Sequence, residues 1–154
     1  MTMNTRPSYG SHRPDGYPQQ DELPVGYLQR GYFDEKGNLL PQVLEDWPQK
    51  IAQNLFHANP KMTTSQLRGA FFNEVRRIEN KLDATHDFDA IKPELLKLKA
   101  YAEDRKKKNK VPQLFEKFIE ANLRWATRSE KDFRQGFVNH FECVVAYYPE
   151  VRGN

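Results

Sequence analysis

Leu67, Phe71, Val75, Ile78 and Leu82 recur at steps of four, four, three and four, a spacing that puts all five side chains on one stripe of an α-helix and scatters them over both faces of a strand. This stripe commits the middle of the chain to an amphipathic helix, and such a helix needs other apolar faces to cover it. The remaining sequence supplies four. Trp47, Ile51 and Leu55 repeat in a segment that starts near Asp46 and Pro48 and is stopped by Asn59-Pro60, with the acid and the first-turn proline placed as at a helix start. Thr63 with Gln66 forms a capping-box pattern in front of the long stripe. Ile91, Leu95, Leu98 and Ala102 mark a third helix that begins around Asp87 to Asp89 and ends in Arg105-Lys106-Lys107-Lys108, cations suited to the negative end of a helix dipole. Pro93 is assigned to its first turn or close to it, where proline is tolerated. Leu114, Phe115, Phe118, Ile119, Leu123 and Trp125 follow Pro112 and make the most apolar helix, expected at the centre. Ser129 and Asp132 announce a fifth, with Phe133, Phe137, Phe141, Val144 and Tyr148 on its stripe before Pro149. The fold class predicted is all-α, a compact five-helix bundle with short connections and a flexible N-terminal arm.

The arm is the stretch 1–31, where Pro, Gly, Tyr and Gln dominate and aliphatic residues are scarce, too little apolar surface to offset chain entropy. Residues 32–154 form the helical-bundle domain. Between them, Tyr32 to Leu40 set the turn signal Asp34-Glu35-Lys36-Gly37-Asn38 between apolar pairs, a tight turn or brief hairpin packed on the bundle. With 154 residues and 38% apolar content, one core is the expectation. No apolar run approaches a membrane span and no secretory stretch opens the chain, so a cytoplasmic protein without membrane contact is expected. The single cysteine, Cys143, excludes an internal disulfide and a cysteine-rich zinc site.

Chemistry is hard to find in this sequence. The P-loop, dinucleotide-binding, nucleophile-elbow and HExxH patterns are all absent. Asp83, His86, Asp87 and Asp89 are the one conceivable metal cluster, but they fall between two helices, where acids cap and solvate. His140 lies beside Phe137 and Phe141 with no acid/base partner nearby, and reads as a helix histidine rather than a general base. No catalytic residue, metal site or cofactor is assigned. A metal-dependent nuclease built on the Asp83–Asp89 segment is the enzymatic alternative.

The cations are more informative. Residues 61–154 hold nineteen Lys and Arg against fourteen Asp and Glu, whereas residues 1–60 hold five against seven, so a modest basic excess sits in the folded part and suits an anionic partner. Arg68, Phe72 and Arg76 line up at four-residue steps beside the core stripe. Two readings of that row are open: Phe72 stacks on a base between two phosphate-holding arginines, or it packs on a neighbouring helix above a solvated rim. Lys97, Lys99 and Arg105 join the Lys106 to Lys110 run as a basic end of the third helix.

Three words of this sequence then fall into a familiar order. Thr63-Thr64-Ser65-Gln66-Leu67-Arg68, Leu96-Lys97-Leu98-Lys99-Ala100-Tyr101-Ala102 and Phe141-Glu142-Cys143-Val144-Val145-Ala146-Tyr147 together resemble the small subunit of type III-A (Csm) CRISPR effector complexes, over roughly residues 32 to 148. The resemblance implies a non-enzymatic helical bundle present in several copies, stacked head to tail beside the guide-holding subunits, with guide RNA, target RNA, other subunits and copies of itself as partners. Base pairing reads sequence in such a complex, so backbone contacts suffice for the subunit. Arg68, Lys97, Lys99 and Arg105 are therefore the first expected RNA contacts, with Arg76 and Phe72 next; Lys106 to Lys108 match a variable region. The alternative is a protein-only helical scaffold or dimerisation module without RNA contact.

Overall fold

A computed structural model of the chain describes residues 22–153. The order is a single turn α1 (Pro41–Leu44), α2 (Asp46–His57), a π-helical stretch Ser65–Phe72 that runs on as α3 (Asn73–Thr85), α4 (Phe88–Lys107), α5 (Gln113–Ala126), and a second π-helical stretch Asp132–Val138 that runs on as α6 (Asn139–Tyr147). The five predicted helices are all there, and no named strand occurs among the described residues. The five-residue stripe of the second helix is buried throughout.

Helix ends follow local chemistry. Asp87 caps α4 by accepting the Ala90 N–H at 3.2 Å. Ser129 accepts the Asp132 N–H at 3.0 Å, and its hydroxyl donates to the Asp132 carboxylate at 2.8 Å. The Thr63–Gln66 box is only half formed: Thr63 Oγ1 accepts the Gln66 N–H at 3.1 Å, but Gln66 Oε1 is buried without a partner. Two predictions shift. Asp46 is the first residue of α2, and Glu45 takes the cap position. Pro93 stands at the sixth residue of α4, beyond the first turn; it is exposed, and the helix runs through it because Ile91, Leu95 and Leu98 hold both sides of it in the core.

Both π stretches lie where the second and fifth helices begin, a feature that apolar periodicity does not signal. In the second, Gly136 is buried against the Tyr32 ring. The core is an aromatic cluster: Phe71, Phe115, Phe118, Phe133, Phe137 and Phe141 are fully buried. Their rings pack edge-on or tilted, with Phe71–Phe115 centroids at 4.7 Å and Phe118–Phe141 at 5.3 Å. α5 crosses the centre as predicted, packing on α4, α2 and the second π stretch.

The boundary of the arm is corrected. Residues 1–21 lie outside the described residues, but residues 22–31, which composition assigned to the arm, dock on the bundle through a series of turns. Leu28 is buried and Tyr27 and Leu23 pack against the core. Sparse apolar content misled here because few side chains hold this segment, and one of them does so by hydrogen bonds. The predicted turn after it is a hairpin-like loop with a Phe33–Leu39 bridge. Asp34 Oδ1 accepts the Lys36 and Asn38 N–H groups, both at 2.9 Å, and Gly37 takes φ +83°.

Candidate nucleic-acid interface

The buried polar groups are structural. His140 Nδ1 lies 2.6 Å from the Val43 carbonyl and Nε2 lies 2.6 Å from the Tyr27 hydroxyl. A carbonyl only accepts, so Nδ1 carries the proton and Nε2 accepts from Tyr27. The Tyr27 oxygen in turn accepts from Asn122 Nδ2 at 2.8 Å, whose second hydrogen goes to the Phe118 carbonyl, while Tyr32 donates to Asn122 Oδ1 at 2.8 Å. Every member is satisfied by this assignment. Burial holds the His140 pKa down to about 4, opposed by the Val43 hydrogen bond, so near neutral pH the ring is uncharged. It has no free nitrogen for acid/base work.

The Asp83–Asp89 segment is likewise engaged. Asp83 pairs with Arg134 at 2.6 Å, Asp87 caps α4, Asp89 pairs with Lys92 at 3.2 Å, and His86 ends α3 in the left-handed region at φ +55°. Among the described residues no cluster of three His, Cys, Asp or Glu is arranged to hold a metal ion.

The six predicted RNA-contact residues separate into groups. Phe72 is buried, its ring 5.3 Å from that of Phe141 with the Arg76 guanidinium 5.8 Å above it. It belongs to the core, so in the Arg68–Phe72–Arg76 row the aromatic packs inside the bundle. Arg76 also pairs with Glu79 at 3.3 Å. On α4 the helical phase divides the lysines: Lys97 and Lys99 point about 160° apart at about 100° per residue. Lys99 turns toward α5 and pairs with Glu120 at 3.3 Å; Arg105 is half-buried beside Asp104, also at 3.3 Å. Arg68 and Lys97 are exposed and make no ion pair among the described residues. Arg68 borders a hollow of about 260 Å³ with Thr64, Val145, Tyr148 and Glu150, where the Tyr148 hydroxyl donates to the Met62 carbonyl at 2.6 Å and the tail bonds back to Thr64.

A second set of cations escaped the sequence reading because the chain brings it together from distant segments. Lys131 stands over the Phe33 ring at 4.3 Å and donates to the Gly37 carbonyl at 2.9 Å. Arg128 stands over Trp125 at 4.0 Å, and that indole also lies against Gly31. Among the described residues neither cation has a carboxylate partner, nor do the exposed Arg30 and Lys36 in the facing loops.

The family model described as Csm2 Type III-A matches residues 40–153. The chain belongs to the Csm2 type III-A family. It is thus a subunit of a type III-A CRISPR complex, as the three sequence words implied. The Csm2 match contains Arg68, Lys97, Lys99 and Arg105, and starts after the docked segment and hairpin-like loop of residues 22–39. No curated protein and no solved structure matches the chain significantly. No helix among the described residues is long and apolar enough to cross a membrane.

Proposed function

We propose that this protein is a non-catalytic structural subunit of a type III-A CRISPR ribonucleoprotein, stacking in several copies to line and stabilise the guide RNA–target RNA channel through backbone contacts. The family match over most of the chain carries this reading. It is supported by Arg68 and Lys97, two cations of the matched segment that are exposed and, among the described residues, free of ion pairs. Such side chains reach phosphates without first breaking an internal contact, and phosphate contacts need no base reading. The capping and pairing roles of Asp83, Asp87 and Asp89 favour a subunit without chemistry of its own. Guide pairing would supply specificity and the subunit would supply shape and charge. The working location is the cytoplasm, and the partners are the RNAs, the other subunits and further copies of this chain.

The test is a salt titration of target-RNA binding by assembled complexes carrying wild-type subunit or an R68A/K97A/K99A/R105A subunit, with copy number and assembly checked by native mass. Weaker binding for unrelated guides and a flatter dependence of log K on log salt are expected. Unchanged affinity and slope in fully assembled complexes would leave the protein-only scaffold standing.

A further inference from the structure

A cleft of about 490 Å³ is bordered by Gln29, Arg30, Phe33, Leu40, Gln42 and Trp47. It lies between the docked N-terminal segment, the hairpin-like loop and the start of α2. Its size is within the range of small-ligand sites. The half-buried Phe33, the buried Trp47 and two side-chain amides border it, apolar wall beside groups that donate and accept. That composition suits one unpaired nucleobase, whose faces stack and whose edge takes hydrogen bonds.

The charge around the cleft supports the same occupant. Arg30 borders it, Lys36 sits in the adjoining turn, Lys131 covers the Phe33 ring, and Arg128 is fixed on Trp125 beside Gly31. Among the described residues these four lack ion pairs, whereas Lys50, Arg77, Lys81 and Lys106 elsewhere on the surface are each matched by an acid. Stacking on a ring holds Arg128 and Lys131 in place without neutralising them. Asp34 and Glu35 also border the cleft. Asp34 is engaged with two backbone N–H groups of its own turn, and Asp46 beside Trp47 is paired with Lys50, so the four cations face Asp34, Glu35 and Glu45 as the remaining acids. Across the turn between α5 and the second π stretch, Glu130 is paired with Arg134 and Asp132 accepts from Ser129.

We propose that this cleft is a single-stranded RNA site, taking one unpaired base against Phe33 with the buried Trp47 beneath it, while the flanking phosphates rest on Arg30, Lys36, Arg128 and Lys131. The site deepens the RNA-contact reading and rests on it. It adds a surface away from α3 and α4, and residues 26–35, outside the family match, build most of it.

The experiment uses assembled complexes loaded with 4-thiouridine-substituted target RNA, crosslinked and mapped by peptide mass. Wild-type subunit, an R30A/K36A/R128A/K131A subunit and an R68A/K97A subunit are compared, with assembly checked by native mass. Crosslinks to peptides covering residues 26–47 are expected, lost in the first variant and retained in the second. The first variant should also flatten log K against log salt by up to about 0.7 per lost single-strand contact. Crosslinks confined to α3 and α4, with the first variant binding like wild type, would overturn this site and keep the RNA-lining reading. Crosslinks to this subunit nowhere, with both variants unchanged, would sink both. Protection of residues 26–47 by another protein subunit, seen by protein–protein crosslinking in the RNA-free complex, would make the cleft a protein interface and overturn the proposal.

Discussion

The ring of Tyr32 fills the space that a side chain at Gly136 would need. Tyr32 is fully buried and comes from the loop before the helices, while Gly136 belongs to the second π stretch, so this contact fixes the loop on the bundle. Gly136→Ala must displace the ring or the helix. A loss of about 1–3 kcal/mol is expected, as for overpacking a filled core, read as a lower midpoint in urea unfolding. Gly69, in the first π stretch, is the control, because a Cβ there meets only Ser65 Oγ at 3.8 Å. Gly69→Ala should be neutral or stabilising by up to about 1 kcal/mol. Equal losses at both glycines would refute the role given to Tyr32.

The Tyr27 hydroxyl is shared between His140 and Asn122. Tyr27→Phe keeps the ring and strands both partners, so a loss of about 1–3 kcal/mol per unsatisfied buried group is expected. Hydrogen exchange should rise first at Tyr27, Gln29 and Gly31, whose N–H groups close the turns of the docked segment. Fast exchange at those three positions in the wild type would contradict docking.

His140 predicts an acid sensitivity. Its folded pKa is held down to about 4 by burial, against about 6.5 for a free histidine. The unfolded chain therefore binds the extra proton between those values. The stabilisation from keeping His140 neutral is complete above about pH 6.5 and is lost as pH falls toward 4, by about 3 kcal/mol in all. Denaturant unfolding at pH 7, 5.5 and 4.5 reads it. A folded His140→Phe variant starts from lower stability and should lack this component of the slope, so equal pH slopes in the two proteins would refute the assignment.

The helices were legible because their information is local. A 3.6-residue apolar period, an Asp or Ser at a cap and a proline at a boundary are each readable within a few residues, as at Asp87 and Ser129. Phe72 was harder: lying at the edge of the stripe, its burial is decided by Phe141, 69 positions away in the sequence. Lys97 and Lys99 share one word, yet the helix turns them to different sides, and Glu120 on α5 selects the one that is tied down. The docked segment and the Arg30–Lys131 surround were out of reach for the same reason. Their partners are Asn122, His140, Trp125 and Gly37, met only after the chain has folded back.

That division of the cations leads to the sharpest functional prediction. An Arg or Lys already paired with a carboxylate must give up that pair before it holds a phosphate, and removing it frees an acid that repels RNA. Removing an unpaired cation deletes only its own contact. R68A/K97A should thus reduce the salt slope of target binding by up to about 0.7 to 0.9 per contact, multiplied by the copies present. K99A alone exposes Glu120, which still has Arg124 within 3.7 Å, so its effect on slope should be small. R105A leaves Asp104 to Lys108 at 3.1 Å and should behave similarly. A K99A/R105A complex compared with an R68A/K97A complex under the same titration separates the cases. If the paired residues carry the larger slope change, those ion pairs open in the assembled complex, and the exposed, unpaired state of Arg68 and Lys97 is no guide to where the RNA lies.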